Sequence, residues 1–386
     1  MQTVGIICEY NPLHRGHEKQ LRLIREQGDT GIVCLMSGNF VQRGAPAIID
    51  KALRAEAALR CGADLVLELP VTAALSSAEG FAREGVRLLG SFCDRLCFGA
   101  ETADADLLTA TANALLCEEF SPVLRKYLEK GVSFPTARVK ALEELGTDAS
   151  VLNTPNNILA VEYCKAIVSL GCGMKPMVIH RNGDYHSLEA NSENPSATAI
   201  RQRMLCGCSW ESLVPETVTN LFREAPLHAL EHGERAVLAR LRTMSDEDYE
   251  ALPYGSEGLW RKLMHESRRQ ATLEGIAAAV KSKRYTRTRI DRMILCACLG
   301  LTEAQIQTPS PYARVLGFND RGREILKRAR QFGSYPNIGQ KLEHPYEALE
   351  NRADDLYGLF ADTPEAPGRA AQRRVVYQKT PTASRP

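Results

Sequence analysis

Short apolar segments alternate with helix-like segments over residues 1–205, and this alternation restricts the folds that the chain can adopt. The expected strands are Thr3–Cys8, Gly31–Met36, Asp64–Leu69, Arg95–Phe98 and Lys175–Ile179. The expected helices between them are Glu18–Gln27, Lys51–Cys61, Ala78–Leu89, Asp104–Leu116 and Asn157–Leu170. Strands linked by helices form a parallel sheet covered on both faces. We therefore predict an α/β, Rossmann-like domain whose ligand lies beyond the carboxyl ends of its strands.

The pattern changes after residue 205. Segments such as "LWRKLMHESRRQATLEGIAAAV" and "RIDRMILCACLGL" have apolar residues at helical spacing, and no clear strand accompanies them. We expect a mostly α-helical second domain over residues 206–361. The tail 362–386 is rich in Pro, Ala and Arg with little to bury, so we expect it to be disordered.

Length, charge and cysteine usage exclude several classes of protein. A chain of 386 residues is long for one core, which favours two domains. The net charge of +1 excludes a globally basic nucleic-acid binder but allows a local basic patch. No apolar run approaches the roughly 18 residues of a membrane-spanning helix. The twelve cysteines lack metal-site spacing, so we expect reduced thiols, a cytoplasmic location and no structural metal.

Two histidines three positions apart follow the first expected strand, in "EYNPLHRGH". A helix beginning near Gly16 would present free backbone N–H groups to a phosphate. His14 and His17 would donate hydrogen bonds to phosphate oxygens and stabilise a pyrophosphate leaving group. Neither a P-loop nor a dinucleotide glycine motif offers another reading of this strand. The alternative is a loop whose histidines are merely exposed.

The H-x-G-H motif resembles that of the HIGH superfamily of nucleotidylyl transferases and class I aminoacyl-tRNA synthetases. Members carry a second helix start of the form S-[ST]-T-x-x-R, which "SATAIR" matches except at Ala197. Ser196, Thr198 and Arg201 would then contact phosphate, although a plain helix cap would explain this segment by itself.

Six further segments make the resemblance narrower, and together with "EYNPLHRGH" they run in order from about residue 4 to about residue 330. They include "MSGNFVQRGAPAIIDKALRAEAAL", "GADLVLELP", "FGAE", "PNNILAVEY", "KRYTRTRIDRMIL" and "RVLGFN". Together they resemble the tRNA(Met) cytidine acetate ligase family. The resemblance implies an ATP-dependent ligase that activates acetate as acetyl-adenylate and releases pyrophosphate. The acetyl group then passes to N4 of the wobble cytidine of elongator tRNA(Met), giving N4-acetylcytidine, with Mg²⁺ on the phosphates and without acetyl-CoA.

The resemblance also implies roles for individual residues. His14 and His17 would be catalytic. The ATP-binding residues would be Ile7, Cys8, Glu9, Tyr10, Asn11, Pro12, Leu13, His14, Arg15, Gly16, His17, Glu18, Lys19, Gln20, Gly99, Asn156 or Asn157, Arg181, Ser196, Thr198 and Arg201. For Asn156 alone, plain helix capping is an equally good explanation.

Two further sites are expected on less specific grounds. The loop after the second strand would line an acetate pocket with Ser37, Gly38 and Asn39, unless its role is purely structural. A basic segment with one aromatic residue would contact tRNA through Lys281, Lys283, Arg284, Tyr285, Arg287, Arg289 and Arg292, unless it is a solvated helix face.

Two other functions stay open at this point. The first is another HIGH-type nucleotidylyltransferase that acts on a small phosphorylated acceptor, although such an enzyme has no need of a basic helical domain. The second is a non-catalytic RNA-binding protein, against which the intact histidine pair argues.

Overall fold

The computed structural model describes residues 1–181 and 196–379. The strands of this part are β1 Gln2–Cys8, β2 Thr30–Ser37, β3 Phe40–Val41, β4 Ala45–Pro46, β5 Leu65–Leu69, β6 Arg95–Ala100, β7 Lys175–His180, β8 Val315–Phe318 and β9 Val376–Tyr377.

The helices cover both faces of the sheet and form a separate cluster after it. Those before residue 181 are α1 Arg15–Arg25, α2 Lys51–Arg60, α3 Val71–Ala74, α4 Ala78–Leu89, α5 Ala105–Leu116, α6 Phe120–Glu129, α7 Phe134–Glu144 and α8 Pro155–Ser169. Those after residue 195 are α9 Ala197–Leu205, α10 Glu216–Arg223, α11 Glu234–Thr243, α12 Asp246–Glu250, α13 Leu259–Ser267, α14 Leu273–Val280, α15 Arg287–Leu299, α16 Glu303–Gln307, α17 Asp320–Ala329, α18 Pro345–Tyr357 and α19 Arg369–Gln372. Short 3₁₀ turns occupy Ser150–Asn153, Glu211–Leu213 and Gly358–Phe360.

Seven strands form one sheet in the order β7-β6-β1-β2-β5-β8-β9. The strands from β7 to β5 are parallel, and β8 runs antiparallel to β5. From β1 the chain moves to β2 and β5 on one side, and then crosses to β6 on the other side of β1. The strand order therefore reverses between β1 and β6, where a ligand cleft is expected in such sheets.

Side chains alternate between two cores, one on each face of the sheet. Ile7, Val33 and Leu35 pack with residues of α4, α5, α8 and α17. Val4 and Ile6 point the other way and pack with residues of α1, α2, α9 and α10. Burial on both faces explains why these strands are almost entirely apolar. The five predicted strands are confirmed, with ends within two residues of those expected.

A third core lies among the helices that follow residue 230. It gathers residues of α11, α13, α14, α15 and α18, and it also includes Phe40 of β3 and Val71 and Leu75 beside the sheet. The mostly helical region after residue 205 is therefore confirmed, but its core also includes residues of the first half of the chain, which carries most of the sheet.

Two expectations about the C-terminal half are wrong. Val315–Phe318 forms β8, which extends the sheet next to β5, so the region is not free of strands. Residues 362–379 are ordered, because β9 pairs with β8 and Arg373 pairs with Asp50; residues 380–386 lie outside the described part. The strands β8 and β9 are short and depend on pairing with strands that are distant in sequence. Local sequence pattern does not reveal such pairing. The division at residue 205 stays a prediction, since α10 packs on the sheet.

Among the described helices, none is long and apolar enough to cross a membrane.

Candidate active site

The H-x-G-H segment forms the N-terminus of α1, with His14 as its N-cap. The His14 Nδ1 accepts a hydrogen bond from the Gly16 N–H at 3.1 Å, and the His17 Nδ1 accepts one from the His14 N–H at 3.3 Å. The two rings stack with their centroids 3.7 Å apart. This reciprocal pattern is a capping box in which imidazoles replace the usual hydroxyl and carboxylate. It also explains why α1 begins at Arg15, next to the Gly16 start expected from the motif and three residues before the Glu18 start expected from the helical pattern.

These hydrogen bonds fix the protonation state of both rings. Because each Nδ1 accepts a backbone proton, the neutral ring carries its hydrogen on Nε2, which is left as a donor. Burial, with the guanidiniums of Arg181 and Arg201, lowers the pKa of His14 to about 3. Burial, with His14 and Arg181 nearby, also lowers the pKa of His17 well below its usual range. Both rings are therefore neutral N–H donors at pH 7.

Two arginines bring positive charge to the same place. The Arg201 Nη1 donates to the Asn11 carbonyl at 2.7 Å and so holds α9 against the loop before His14. Arg181 directly follows β7, and its backbone N–H donates to the Ala100 carbonyl at 2.9 Å. The predicted grouping of His14, His17, Arg181 and Arg201 in one cleft is therefore what the structure describes.

The "SATAIR" segment begins α9 with Ser196 as the N-cap residue. The Ser196 side chain makes no capping hydrogen bond, so its hydroxyl is free for a ligand. The Thr198 hydroxyl accepts from Arg201 Nη2 at 3.1 Å, which orients the guanidinium. The cap alternative for this segment is thus not supported. The N-termini of α1 and α9 both present backbone N–H groups to the cleft.

On the β6 side, Glu101 organises the "PNN" turn. Its carboxylate accepts from Thr154 Oγ1 at 2.9 Å, from Asn156 Nδ2 at 2.7 Å and from the Asn157 N–H at 2.9 Å. Asn157 is buried and bonds to Thr102 through both atoms of its amide. The Asn156 Oδ1 instead accepts from Arg181 Nη1 at 3.4 Å. Asn157 therefore holds the loop, whereas Asn156 faces the cleft.

Gly16 and Gly99 are required by neighbouring side chains. A Cβ on Gly16 would lie 3.0 Å from the His14 Cε1, and a Cβ on Gly99 would lie 3.1 Å from the Arg181 Cδ. Separations this short force a neighbour to move. The two glycines thus leave room for the His14 ring and the Arg181 side chain.

Other side chains of the stretch 7–20 also have partners within the protein. Ile7 and Leu13 belong to the two sheet cores, and the Tyr10 hydroxyl lies 3.5 Å from the Cys34 sulfur. The Gln20 amide contacts the Cys97 sulfur at 3.6 Å, and Arg15 Nε donates to the Val214 carbonyl at 3.4 Å. The remaining members of the stretch are Cys8, Glu9, Asn11, Pro12, Glu18 and Lys19.

Arg54 of α2 supports the carboxyl ends of β1 and β2, and sequence reasoning missed it. It is completely buried, and its guanidinium donates to the carbonyls of Glu9 at 2.6 Å, Ser37 at 3.1 Å and Ile49 at 2.8 Å, as well as to that of Gly38. Its position among Ala55, Ala57, Ala58 and Leu59 on the buried side of α2 is a signal that could have identified it.

The expected acetate pocket at Ser37, Gly38 and Asn39 stays a prediction. Asn39 is buried, and its amide donates to Asp354 at 2.9 Å and accepts from the Lys51 N–H at 2.8 Å. A cavity of about 10 Å³ adjoins both residues, which is room for about one water molecule. Its lining includes the carboxylates of Glu68, Glu350 and Asp354. This cavity is too small to hold acetate.

Ser37 ends β2 and differs from its two neighbours in the chain. Its hydroxyl is buried and has no hydrogen-bond partner among the described residues. An unpaired buried hydroxyl is unusual in a folded protein, so the Ser37 hydroxyl has a hydrogen-bonding capacity that these residues do not use.

Intramolecular contacts occupy most of the basic segment. Arg284 pairs with Glu257 at 2.9 Å, and Arg287 pairs with Glu274 at 2.7 Å. Arg289 donates to the Tyr254 carbonyl at 2.7 Å. Their charge is partly neutralised before any ligand arrives.

Two members of the segment are unavailable to RNA. Tyr285 is buried and its hydroxyl donates to the Glu257 carbonyl at 2.7 Å, so its ring is not free to stack on a base. Arg292 is buried over the Tyr254 ring. The expected roles of Tyr285 and Arg292 in RNA contact are therefore wrong, while Lys281 and Lys283 remain exposed.

Within residues 1–181 and 196–379, no group of three or more His, Cys, Asp or Glu side chains is arranged to hold a metal ion. The segment "HALEH", residues 228–232, has two histidines and a glutamate at a spacing that could suggest a metal site, but it is not helical. Its first histidine, His228, stacks on Tyr357 with ring centroids 3.9 Å apart.

Comparison with known proteins agrees with this geometry. The sequence model of the HIGH Nucleotidyl Transferase family matches residues 1–372. The tRNA(Met) cytidine acetate ligase of Clostridium novyi is 39% identical over 356 residues, which is 87% of this chain and 89% of that protein. The protein of the same name from Clostridium perfringens strain SM101 is 39% identical over 93% of this chain and 96% of its own length.

Solved structures show the same fold. The apo crystal structure of Thermotoga maritima TmcAL superposes with a TM-score of 0.90 at 29% identity, covering 98% of this chain and 100% of that one. The same protein bound with alpha-thio ATP gives a TM-score of 0.88 at 30% identity, with the same coverage. The chain therefore belongs to the tRNA(Met) cytidine acetate ligase family of HIGH nucleotidyl transferases.

Proposed function

We propose that this chain is an ATP-dependent ligase that activates acetate as acetyl-adenylate and acetylates N4 of the wobble cytidine of elongator tRNA(Met). We place the reaction in the cytoplasm and assign it no acetyl-CoA. The observation that carries the proposal is the cleft between β1 and β6, where two neutral Nε2–H imidazoles and two guanidiniums surround two helix N-termini. The names of the relatives support the identity of the acceptor.

In the first half-reaction, an acetate oxygen attacks the α-phosphorus of ATP in line with the pyrophosphate leaving group. The bond from the α-phosphorus to the bridging oxygen breaks, and the negative charge passes to pyrophosphate. The Nε2–H donors of His14 and His17, together with Arg181 and Arg201, stabilise that charge. No protein nucleophile is required, so catalysis consists of positioning and charge stabilisation.

Magnesium would be carried mainly by the ATP phosphates. Mg²⁺ in such sites takes one or two carboxylates and keeps several waters, and the half-buried Glu9 at the end of β1 fits that requirement. Its Oε1 accepts the Gln42 N–H at 2.9 Å, which orients the carboxylate. When bound, the ion would neutralise charge on the leaving pyrophosphate.

In the second half-reaction, the exocyclic amine of the cytidine attacks the acetyl carbonyl carbon, loses a proton and displaces AMP. A base in an anticodon loop reaches an enzyme cleft by leaving its stack. We assign tRNA contact to Lys281 and Lys283, which remain exposed, with Arg284, Arg287 and Arg289 at the edge of that surface.

The test is exchange of labelled pyrophosphate into ATP, followed by acetyl transfer to unmodified tRNA. We expect exchange to require acetate. His17→Ala should lower the exchange rate by about a hundredfold or more, as loss of one charge-stabilising donor typically does. Exchange that ignores acetate, or acetylation that requires acetyl-CoA, contradicts the proposal. Exchange supported only by a small phosphorylated acceptor would indicate the other type of nucleotidylyltransferase.

Two controls separate chemistry from folding. His17→Gln keeps a capping-box side chain at the third helical position but removes the imidazole, so it should fold like the wild type and still lose exchange. His232→Ala removes an exposed histidine from a turn far along the chain, and should leave exchange unchanged.

A further inference from the structure

We infer that the exposed face of α13, together with the loop 281–283 beside it, forms a second contact surface for tRNA phosphates. The inference rests on the proposed function, because the tRNA acceptor comes from it. We call this surface the α13 patch and define it by Arg261, His265, Arg269, Lys281 and Lys283.

The sequence of α13 separates an apolar side from a basic one. Leu259 and Leu263 are completely buried against the helical core. Arg261 and His265 are four positions apart on the exposed side of α13, and Arg269, two residues beyond the end of the helix, is exposed as well. A basic stripe at this spacing points into solvent from a helix whose other side is fixed.

The cations of the α13 patch have few acidic partners, although Lys281 is near enough to Glu274 to help lower the pKa of that carboxyl. Among residues 1–181 and 196–379, no ion pair within 4 Å involves Arg261, Arg269, Lys281 or Lys283. The Arg261 guanidinium lies 4.9 Å from the centre of the Trp260 ring, and Arg269 contacts His265 Nε2 at 3.2 Å. These contacts orient the two arginines without neutralising their charge.

Three acidic residues around the α13 patch are paired with arginines, whereas Glu266 keeps its charge. Glu257 pairs with Arg284 and Glu274 with Arg287. Asp246 pairs with Arg268 at 2.7 Å, and Glu266 accepts from the Gln270 amide at 3.0 Å. With a net charge of only +1 for the whole chain, a group of unpaired cations is a local feature and has a local electrostatic field.

The two parts of the α13 patch are joined in space. Lys262 Nζ donates to the Val280 carbonyl at 3.0 Å, which brings α13 next to the loop that carries Lys281. The Tyr285 hydroxyl donates to the Glu257 carbonyl, one residue before the N-cap of α13.

The patch is also connected to the cleft. Arg289 of α15 donates to the Tyr254 carbonyl, and Arg292 on the same helix donates to the Gln42 carbonyl at 3.4 Å. The Gln42 N–H in turn donates to Glu9 at the end of β1. A nucleic acid whose wobble base enters the cleft therefore passes close to α15, with the α13 patch beyond it.

RNA phosphate is the ligand that this chemistry fits. Exposed Lys and Arg side chains gain affinity for a polyanion by releasing its counterions, and each phosphate contact adds to the salt dependence of binding. Arg stacked on an aromatic ring keeps its outward N–H groups for a phosphate.

The experiment measures binding of an unmodified tRNA(Met) transcript over a range of salt concentrations, with acetate-dependent pyrophosphate exchange as a second readout. We compare Arg261→Ala with Arg269→Ala in one variant and Lys281→Ala with Lys283→Ala in another. Each pair should weaken tRNA binding about tenfold near 0.1 M salt and lower the slope of log K against log salt by about 1 to 2. Exchange should be unchanged in the Arg261→Ala/Arg269→Ala variant, which changes no residue already assigned to tRNA contact.

The matched control is Arg323→Ala with Lys327→Ala, which removes two exposed cations from α17. This helix packs near the amino ends of the strands, since Arg328 donates to the Phe92 carbonyl there. Wild-type affinity in both patch variants, or an equal loss in the α17 control, overturns the inference. If wild-type protein neither binds nor acetylates tRNA, the proposed function itself fails, and the exchange assay identifies which half-reaction is lost.

Discussion

His14 and His17 use one nitrogen for the backbone and leave the other for a ligand. Each Nδ1 satisfies an N–H group at the start of α1, and each Nε2–H remains a donor. Ser, Thr or Asp would cap the helix equally well but could not also offer an N–H to a phosphate. The motif is therefore a helix cap that also binds anions.

The neutrality of His14 gives a pH dependence of stability. Its pKa is about 3 in the folded protein, while an unfolded histidine titrates near 6.5. Between these values the unfolded state binds a proton that the folded state does not, so stability falls as the pH falls below about 6.5. From pH 7.5 to 5.5 this histidine should cost about 1.4 kcal/mol of the free energy of unfolding.

The measurement is urea unfolding at the two pH values for wild type and His14→Asn, which keeps a capping acceptor. The variant should lose about 1.4 kcal/mol less than the wild type over this interval. His232→Ala serves as the histidine control. The same pH dependence in His14→Asn and the wild type would show that His14 is not held neutral.

At the scale of single elements, buried charge joins the catalytic half to α18. Lys51 Nζ lies 2.7 Å from the carboxylates of both Glu68 and Asp354, and all three side chains are nearly inaccessible. Arg314 pairs with Glu350 at 3.3 Å on the same helix as Asp354. A cation between two carboxylates fixes the angle of α18 against the sheet, because each buried charge needs its partner.

Glu350 should make this junction sensitive to alkaline pH. Burial, together with the nearby Glu68 carboxylate, raises the pKa of Glu350 to about 8. Between its unfolded pKa and that value the folded state holds a proton that the unfolded state has lost, so stability falls as the pH rises. Glu350→Gln imitates the protonated form and should remove this loss.

Thermal unfolding of wild type and Glu350→Gln at pH 6 and pH 8.5 measures the effect. We expect Glu350→Gln to lose less stability than the wild type between pH 6 and pH 8.5. Glu347→Gln, on the same helix and bonded to the same Arg314, is the matched control. A variant that loses as much stability as the wild type between the two pH values contradicts the assignment.

Sequence pattern predicts the elements of the first half well and the junctions poorly. Strands buried on both faces are recognisable in the sequence as short, continuous apolar runs. The H-x-G-H and SATAIR motifs also predict the starts of their helices correctly. The sequence alone does not show that Lys51 and Arg54 are buried charges, because the sheet and α18, which bury them, come together only in the fold. The basic segment was predicted to be free for RNA contact. In the structure, two of its arginines pair with Glu257 and Glu274, which only the fold brings near.

At the scale of the whole molecule, the end of the chain returns to the start. Arg373 pairs with Asp50, the N-cap of α2, and both side chains are largely buried. Although burial opposes it, Arg373 lowers the pKa of Asp50. The Arg373–Asp50 pair thus joins residues more than 300 positions apart in sequence.

Arg373→Ala should destabilise the protein by about 3 kcal/mol or more, because it leaves a buried carboxylate unpaired. Adding Asp50→Asn should recover much of the loss, since asparagine still caps α2. Arg374→Ala removes the exposed neighbouring arginine and should have little effect. Chemical denaturation of the four proteins measures these differences, and equal effects of the two arginines would refute the buried pair.

The position of β9 also bears on how the protein is made. During synthesis the first five strands of the sheet emerge long before Val315–Phe318 and Val376–Tyr377, so the open edge of β5 waits for most of translation. An exposed strand edge invites pairing with another chain. Fragments that stop near residue 205 should therefore aggregate, because they lack the strands that cover this edge.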